Sequence, residues 1–438
     1  MQYNLYYNIM PDGTVKQINP FTETEVWAVP GRSSKPISNE IPLTAKPLES
    51  ATHRDYCSFC PDKYFDTPPE KARLIKTETG YKTLKYLLAE NYSETTAEFR
   101  RITNLFEIVT LDYWRKNYSY RIPEERKKWR DEYLSTPKGI MHIEGLLDFK
   151  LKQTGKTEDQ IKKMHAYDKL AIADAFFGGS HEIVIARSHF QPDAEWDSQF
   201  FSSGMMSHED HYQYFKFTID AMKDIIDNNR YARYISVFQN WLRPAGASMD
   251  HLHKQLVALD EWGSSIQRQN KMLREDPNVF NDLSVNFAAR FNLIIAENDY
   301  AIAFVGIGHR FPTIEIYSKS HAGRPYEHTD AEIRGVSNLV HVFHAAMGSS
   351  ISCNEEWYYT PVDSVYKMPW HVLIKWRINV PAGFEGGTGI YLNPMTPIEL
   401  RDKIVPRLYQ IRDEGKINGT RIAEECRIYP NPLLYYLK

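Results

Sequence analysis

The chain of 438 residues is 42% hydrophobic and 13% aromatic, with 53 Lys+Arg against 56 Asp+Glu and a formal net charge of −3. That composition excludes a disordered chain, and the near-balance of charge gives no reason to expect nucleic acid or an anionic membrane as the main partner. Four cysteines do not suggest a disulfide framework, and no window approaches the roughly 18 apolar residues of a membrane span.

Taken in chain order, MQYNLYYNIMPDGTV lacks the basic start and apolar core of a secretion signal. A cytoplasmic protein is expected. Residues 1–50 are rich in turn formers, and 19-NPFTETEVWAVPGRSSKP-36 reads as one short strand between loops. A helical pattern follows 57-CSFCPDKYFDTPP-69, and 101-RITNLFEIV-109 then alternates like a strand. Residues 115–170 are charged and helix-periodic and read as a helical insertion packed on the outside. Next come a strand ending in Ser-His (181-HEIVIARSHF-190), a helix over 207–229 and a strand, 234-YISVFQNWL-242. The same order returns with 313-TIEIYSKSHAG-323, a helix over 329–347, 356-EWYYTPV-362 and 370-WHVLIKWRINV-380. Arg187-Ser188-His189 matches Lys319-Ser320-His321, so an internal duplication is expected, joined at roughly 263–298. Strands interspersed with helices give an α+β or α/β chain of two related halves.

Three constellations carry chemistry. In 248-SMDHLHKQLVAL-259 a strand would place His251, His253 and Gln255 on one side, with Leu252, Lys254 and Leu256 opposite. A half-buried edge strand is the structural alternative, but Gly246 and small residues just before it allow a ligand close to the backbone. Neutral imidazole attacks phosphorus and leaves well when protonated, which suits two-step nucleotidyl transfer. Such a step needs one ring nitrogen free, the other held by a hydrogen bond, and donors around the phosphoryl oxygens. Gln255, Ser248 and Asn240 are uncharged donors at suitable places. The second constellation is 57-CSFC-60, either a redox pair, two free thiols, or two ligands of a four-ligand zinc site. His189 and His251 are the best available completers, with Cys353 and Cys426 competing. The third is Arg32 and Lys35, a solvated basic loop or a pair of phosphate contacts.

These pieces, with 104-NLFEIV-109 and 383-GFEGGTGIYLNP-394, resemble in their order the galactose-1-phosphate uridylyltransferase-like branch of the histidine-triad superfamily. The resemblance covers most of the chain outside 115–170. It implies an α+β fold of two histidine-triad-like halves, each an antiparallel sheet with flanking helices, plus the helical insertion. The halves would be 1–265, holding zinc and nucleophile, and 266–438, lacking its own catalytic motif. It implies a nucleotidyltransferase passing a nucleotidyl, here uridylyl, group between a nucleotide sugar and a sugar 1-phosphate by ping-pong through His253. Gln255, Ser248 and Asn240 would hold phosphate, Arg32 and Lys35 the diphosphate, and Asn104 the base or ribose, with Phe384 also at the substrate. A structural zinc ion would sit on Cys57, Cys60, His189 and His251, and the protein would be a homodimer. Alternatives are a phosphorylase using inorganic phosphate with the same histidine, a hydrolase, and an inactive zinc-stabilised nucleotide-binding protein. Gln255 in place of a third histidine weighs against the hydrolase. Departures are Leu252 for a usual Pro, Lys254 for a small residue, Pro369 where the second half often carries a histidine, and the glycine-rich 383–389 segment.

Overall fold

A computed structural model describes residues 4–31, 44–49 and 53–437. Two sheets organise them. Strands β1 (Tyr7–Ile9), β2 (Val15–Ile18) and β3 (Glu25–Ala28) form the smaller sheet, completed far along the chain by β15 (Ile390–Leu392). The larger sheet holds β4 (Glu70–Thr77), β5 (Gly80–Lys85), β6 (Ala97–Thr103), β7 (His181–Ala186), β8 (Tyr234–Trp241) and β9 (His253–Leu259) from the first half of the chain. The second half supplies β10 (Ile294–Glu297), β11 (Ala301–Val305), β12 (Thr313–Ser318), β13 (Cys353–Tyr358), β14 (His371–Trp376) and β16 (Arg421–Ile422).

Its order, β16-β10-β11-β12-β14-β13-β8-β9-β7-β6-β4-β5, reads symmetrically outward from the β13–β8 junction. Each arm runs strand, long helix, strand, strand: β7, His208–Asn228, β8, β9 in one and β12, Asp330–Met347, β13, β14 in the other. Sequence supplies the helix starts. Ser207 accepts from the Asp210 N–H, and Thr329 and Glu332 form a reciprocal capping box. Both helices cover one face of the sheet, where Lys254 Nζ sits 4.7 Å from the Tyr214 ring and His344 reaches Glu355. No helix among the described residues is long and apolar enough to cross a membrane.

That helix-covered face buries ion pairs. Lys254 Nζ lies 2.5 Å from Glu355 Oε1, both side chains fully buried. Gln239 accepts from Lys254, while Trp357 and His344 donate to Glu355. Burial alone would raise Glu355, but the Lys254 charge and the His344 hydrogen bond overcome it and hold the carboxyl at about 2. Lys254 therefore points away from His253, as its alternate position in the strand requires.

Two local expectations differ from the structure. Residues 70–85, expected as helix, form the β4–β5 hairpin. There Lys71 pairs with buried Glu182 at 2.7 Å and Arg73 with Glu70 at 2.7 Å. The strand expected over 101–109 stops at Thr103, because Asn104 Oδ1 accepts from the Phe106 N–H and turns the chain. The insertion is helical over Leu111–Tyr118, Glu124–Tyr133, Pro137–Gln153, Glu158–Lys162 and Ala166–Gly178, extending slightly past both expected ends.

Candidate active and metal site

The face of β7, β8 and β9 opposite the helix-covered one carries the motif. Register pairs Ile185 with His253 and Ile183 with Gln255, so both polar residues share a face with the isoleucines. The Cys57–Cys60 loop lies over this face. Its Phe59 packs on Ile102, Ile183 and Ile185 and meets the His253 ring edge-on at 5.2 Å. Arg100 Nη2 donates to the Phe59 carbonyl at 2.9 Å and ties the loop to β6.

Cys57, Cys60, His189 and His251 come together with their ligand atoms all within 4.8 Å of one another. The thiol sulfurs are 3.8 Å apart, and the two Nδ1 atoms lie 3.3–3.8 Å from them. A tetrahedral zinc site, with bonds of about 2.3 Å to S and about 2.0 Å to N, needs separations of about 3.8 and about 3.5 Å. The donor set fits zinc. His251 Nε2–H donates to the Ala186 carbonyl at 2.7 Å, which leaves Nδ1 as the ligand nitrogen. Hydrogen bonding from Cys57, then from His189 and His251, holds the Cys60 thiol well below its ordinary range. Cys353 and Cys426, the competing candidates, lie outside the cluster.

His253 is almost completely buried, and its Nδ1–H donates to the His251 carbonyl at 2.7 Å. Nε2 is thereby left with its lone pair free. Burial pushes the ring down to about 4, so it is neutral near pH 7. Two residues along, Gln255 Oε1 faces His181 Nε2 at 3.1 Å. The Ile108 N–H donates to His181 Nδ1 at 3.0 Å, so Nε2 carries the ring proton and donates to Gln255. The Gln255 NH₂ must then point outward as a donor. Asn104 lies against the same ring, its amide nitrogen 3.1 Å from Nε2. His181 is therefore part of this constellation. Only strand register places it there, because nothing in its local spacing marks it.

Asn240 follows on β8. Extending the Phe238–Gln255 register by one pleat puts it beside His253. Its Oδ1 accepts from Asn354 at 2.8 Å, which turns its NH₂ the other way. Leu242 then takes a left-handed backbone, φ 66°, and receives the Ala245 and Ala247 N–H groups. This strained turn ends β8 and leads into the loop that carries exposed Ser248. Phe384 is not part of this cluster. It sits on a short helix, Gly383–Thr388, and lines a cavity of about 530 Å³ with Trp27 and Asn393. Arg32 and Lys35 lie outside the described residues.

In the second half Pro369 stands where His251 stands in the first, and His371 Nδ1–H likewise donates two residues back, to the Pro369 carbonyl at 2.9 Å. Its ring is stacked between Tyr317 and Tyr358.

The sequence matches a family described as a domain of unknown function, DUF4921, over residues 10–435. The chain belongs to the DUF4921 family. No curated protein matches this DUF4921 sequence. Among solved structures, an ADP-glucose phosphorylase from Arabidopsis thaliana with bound ADP-glucose is similar, at TM-score 0.56 and 15% identity over 90% of this chain and 98% of that one. A GalT-like protein from the same plant gives TM-score 0.55 and 16% identity over the same shares. At this identity the likeness is one of fold: the DUF4921 chain shares the α+β fold of these two proteins.

Proposed function

We propose that the chain is a nucleotidyltransferase working through a covalent nucleotidyl-His253 intermediate. The observation that carries this is the His253 Nδ1–H bond to the His251 carbonyl, which presents Nε2 as a neutral nucleophile. In the first half-reaction Nε2 bonds to the α-phosphorus of a nucleotide sugar, and the bond from phosphorus to the bridging oxygen breaks. The sugar phosphate leaves with the electron pair. The ring becomes cationic, and its Nδ1–H bond to the carbonyl stabilises that charge. In the second half-reaction an acceptor phosphate oxygen displaces the imidazole, which leaves neutral. Gln255, Asn240 and Ser248 donate to the phosphoryl oxygens, Asn104 contacts the nucleoside, and Arg32 and Lys35 the diphosphate.

Cys57, Cys60, His189 and His251 would hold a structural zinc, since four protein ligands leave no open position. Its effect on chemistry is indirect, through the fixed His251 carbonyl. The acceptor in the leading reading is a sugar 1-phosphate, with uridylyl as the transferred group. Inorganic phosphate is the second reading, favoured by the ADP-glucose phosphorylase of similar fold. Phe384 would meet substrate from the second half, residues 266–438, and the first half, 1–265, would hold the zinc and nucleophile of a cytoplasmic homodimer.

The test is to incubate the protein with UDP-, ADP- and GDP-sugars labelled in the α-phosphate. A base-stable, acid-labile protein label is expected, and His253→Ala abolishes it. If no nucleotide labels the wild type, both readings fail. If one does, chasing with phosphate or sugar phosphates names the acceptor.

A further inference from the structure

The same sheet face continues across the β13–β8 junction into a second cavity of about 430 Å³, lined from β13, β14, the β11–β12 turn and the start of the helix Ser264–Glu275. Its β13 wall adjoins the His253 site, since Asn354 donates to Asn240 at 2.8 Å, but three inter-strand steps separate β9 from β14, about 14 Å at ordinary spacing, so a phosphate held on the β14 side does not contact His253.

Its charge is unbalanced. Arg268, Arg310, Lys375 and Arg377 all line it, against Glu356. Lys375 is neutralised by Glu356 at 2.6 Å, and Arg268 by Glu23. Among the described residues Arg310 and Arg377 have no carboxylate partner. Arg310 lies over the Tyr391 ring at 4.3 Å, and Arg377 over Phe311 at 4.4 Å. Arg377 Nη1 donates to Asn354 Oδ1 at 2.8 Å, while its Nε is buried with no protein partner. Stacked guanidiniums held this way are preorganised forks for a phosphate.

The wall is fixed as well. Gly308 has φ +65°, and a Cβ there would lie 2.0 Å from the Asn19 nitrogen, so the turn carrying Arg310 is locked against the N-terminal segment. The Thr22, Thr24, Ser264 and Ser265 hydroxyls line the remaining wall and suit a polyhydroxylated ligand. The volume falls in the range of small organic ligands, well beyond a bare phosphate.

We propose that this cavity is a second anion site, separate from His253, for a small phosphorylated polyhydroxy compound such as a sugar phosphate. Arg310 and Arg377 hold the phosphate. The proposal does not depend on nucleotidyl transfer.

Calorimetric titration of full-length His253→Ala with glucose 6-phosphate, and separately with inorganic phosphate, tests it. Saturable glucose 6-phosphate binding is expected, weakened at least tenfold by Arg310→Gln with Arg377→Gln at an unchanged melting temperature. Arg310→Gln alone gives a smaller loss and guards against misfolding of the double variant. No saturable binding, or equal binding by the double variant, overturns the site. Inorganic phosphate binding as tightly as glucose 6-phosphate overturns the organic ligand. α-Phosphate labelling of His253 in the Arg310→Gln protein is a separate readout and is expected to persist, so the two proposals fail independently.

Discussion

At the scale of single residues, the site depends on which hydrogen each imidazole carries. Backbone groups decide it: the Ala186 carbonyl for His251, the His251 carbonyl for His253, and the Ile108 N–H for His181. Each fixes one tautomer, and the tautomer fixes what the other nitrogen does. His181 orients Gln255 without touching the reacting atoms. His181→Asn should therefore lower the His253 labelling rate about tenfold, below the 10²–10³ of removing a direct donor. The loss should fall on the rate constant more than on nucleotide affinity, with zinc content unchanged. Rapid-quench labelling over a range of nucleotide concentrations separates the two. Cys57→Ser should lower bound zinc, measured by atomic emission, and lower the melting temperature, because the loop over His253 loses its anchor to His189 and His251. Full zinc retention in Cys57→Ser would show that the ligand set is wrong.

At the scale of elements, alternation along a strand separates reactive from structural chemistry. Lys254 sits between two motif residues, yet its charge is spent on Glu355 on the helix-covered face. Lys254→Met removes one partner of a buried pair and leaves Glu355 uncompensated, at a cost of about 3–5 kcal/mol. Urea unfolding should show that loss, while the folded fraction still labels at His253. The β4–β5 hairpin shows the limit of periodicity. Lys71 is paired in the buried sheet with Glu182, which lies more than a hundred residues away, and nothing local in the sequence reveals that partner. The long helices were legible because Ser207 and Thr329 cap them from within their own sequence.

At the scale of the whole molecule, burial of neutral histidines sets the response to acid. Burial holds His142, His181, His341 and His371 down to about 4, against an ordinary 6.5. Unfolding lets each take up a proton. Their contribution to stability is complete above pH 6.5 and is lost as pH falls toward 4. The slope is about 1.4 kcal/mol per pH unit for each fully titrating histidine. Melting temperatures measured from pH 7.5 to 4.5 should fall steadily, and a flat profile would contradict this burial.

The sequence alone determined the local and repetitive features. The H-x-H-x-Q spacing put three polar side chains on one strand face, the paired cysteines offered two ligands of a metal site among other readings, and the repeated order of elements pointed to the duplication. These are short-range patterns, set by backbone period and residue type. Tertiary structure decided what depends on contacts between distant strands. It brought His189 and His251 to the cysteines, swung His181 onto Gln255, set Asn354 against Asn240, and left two guanidiniums facing a cavity built from both ends of the chain. Partners brought together by strand pairing leave no mark in the spacing of either partner, because register is fixed by the sheet as a whole.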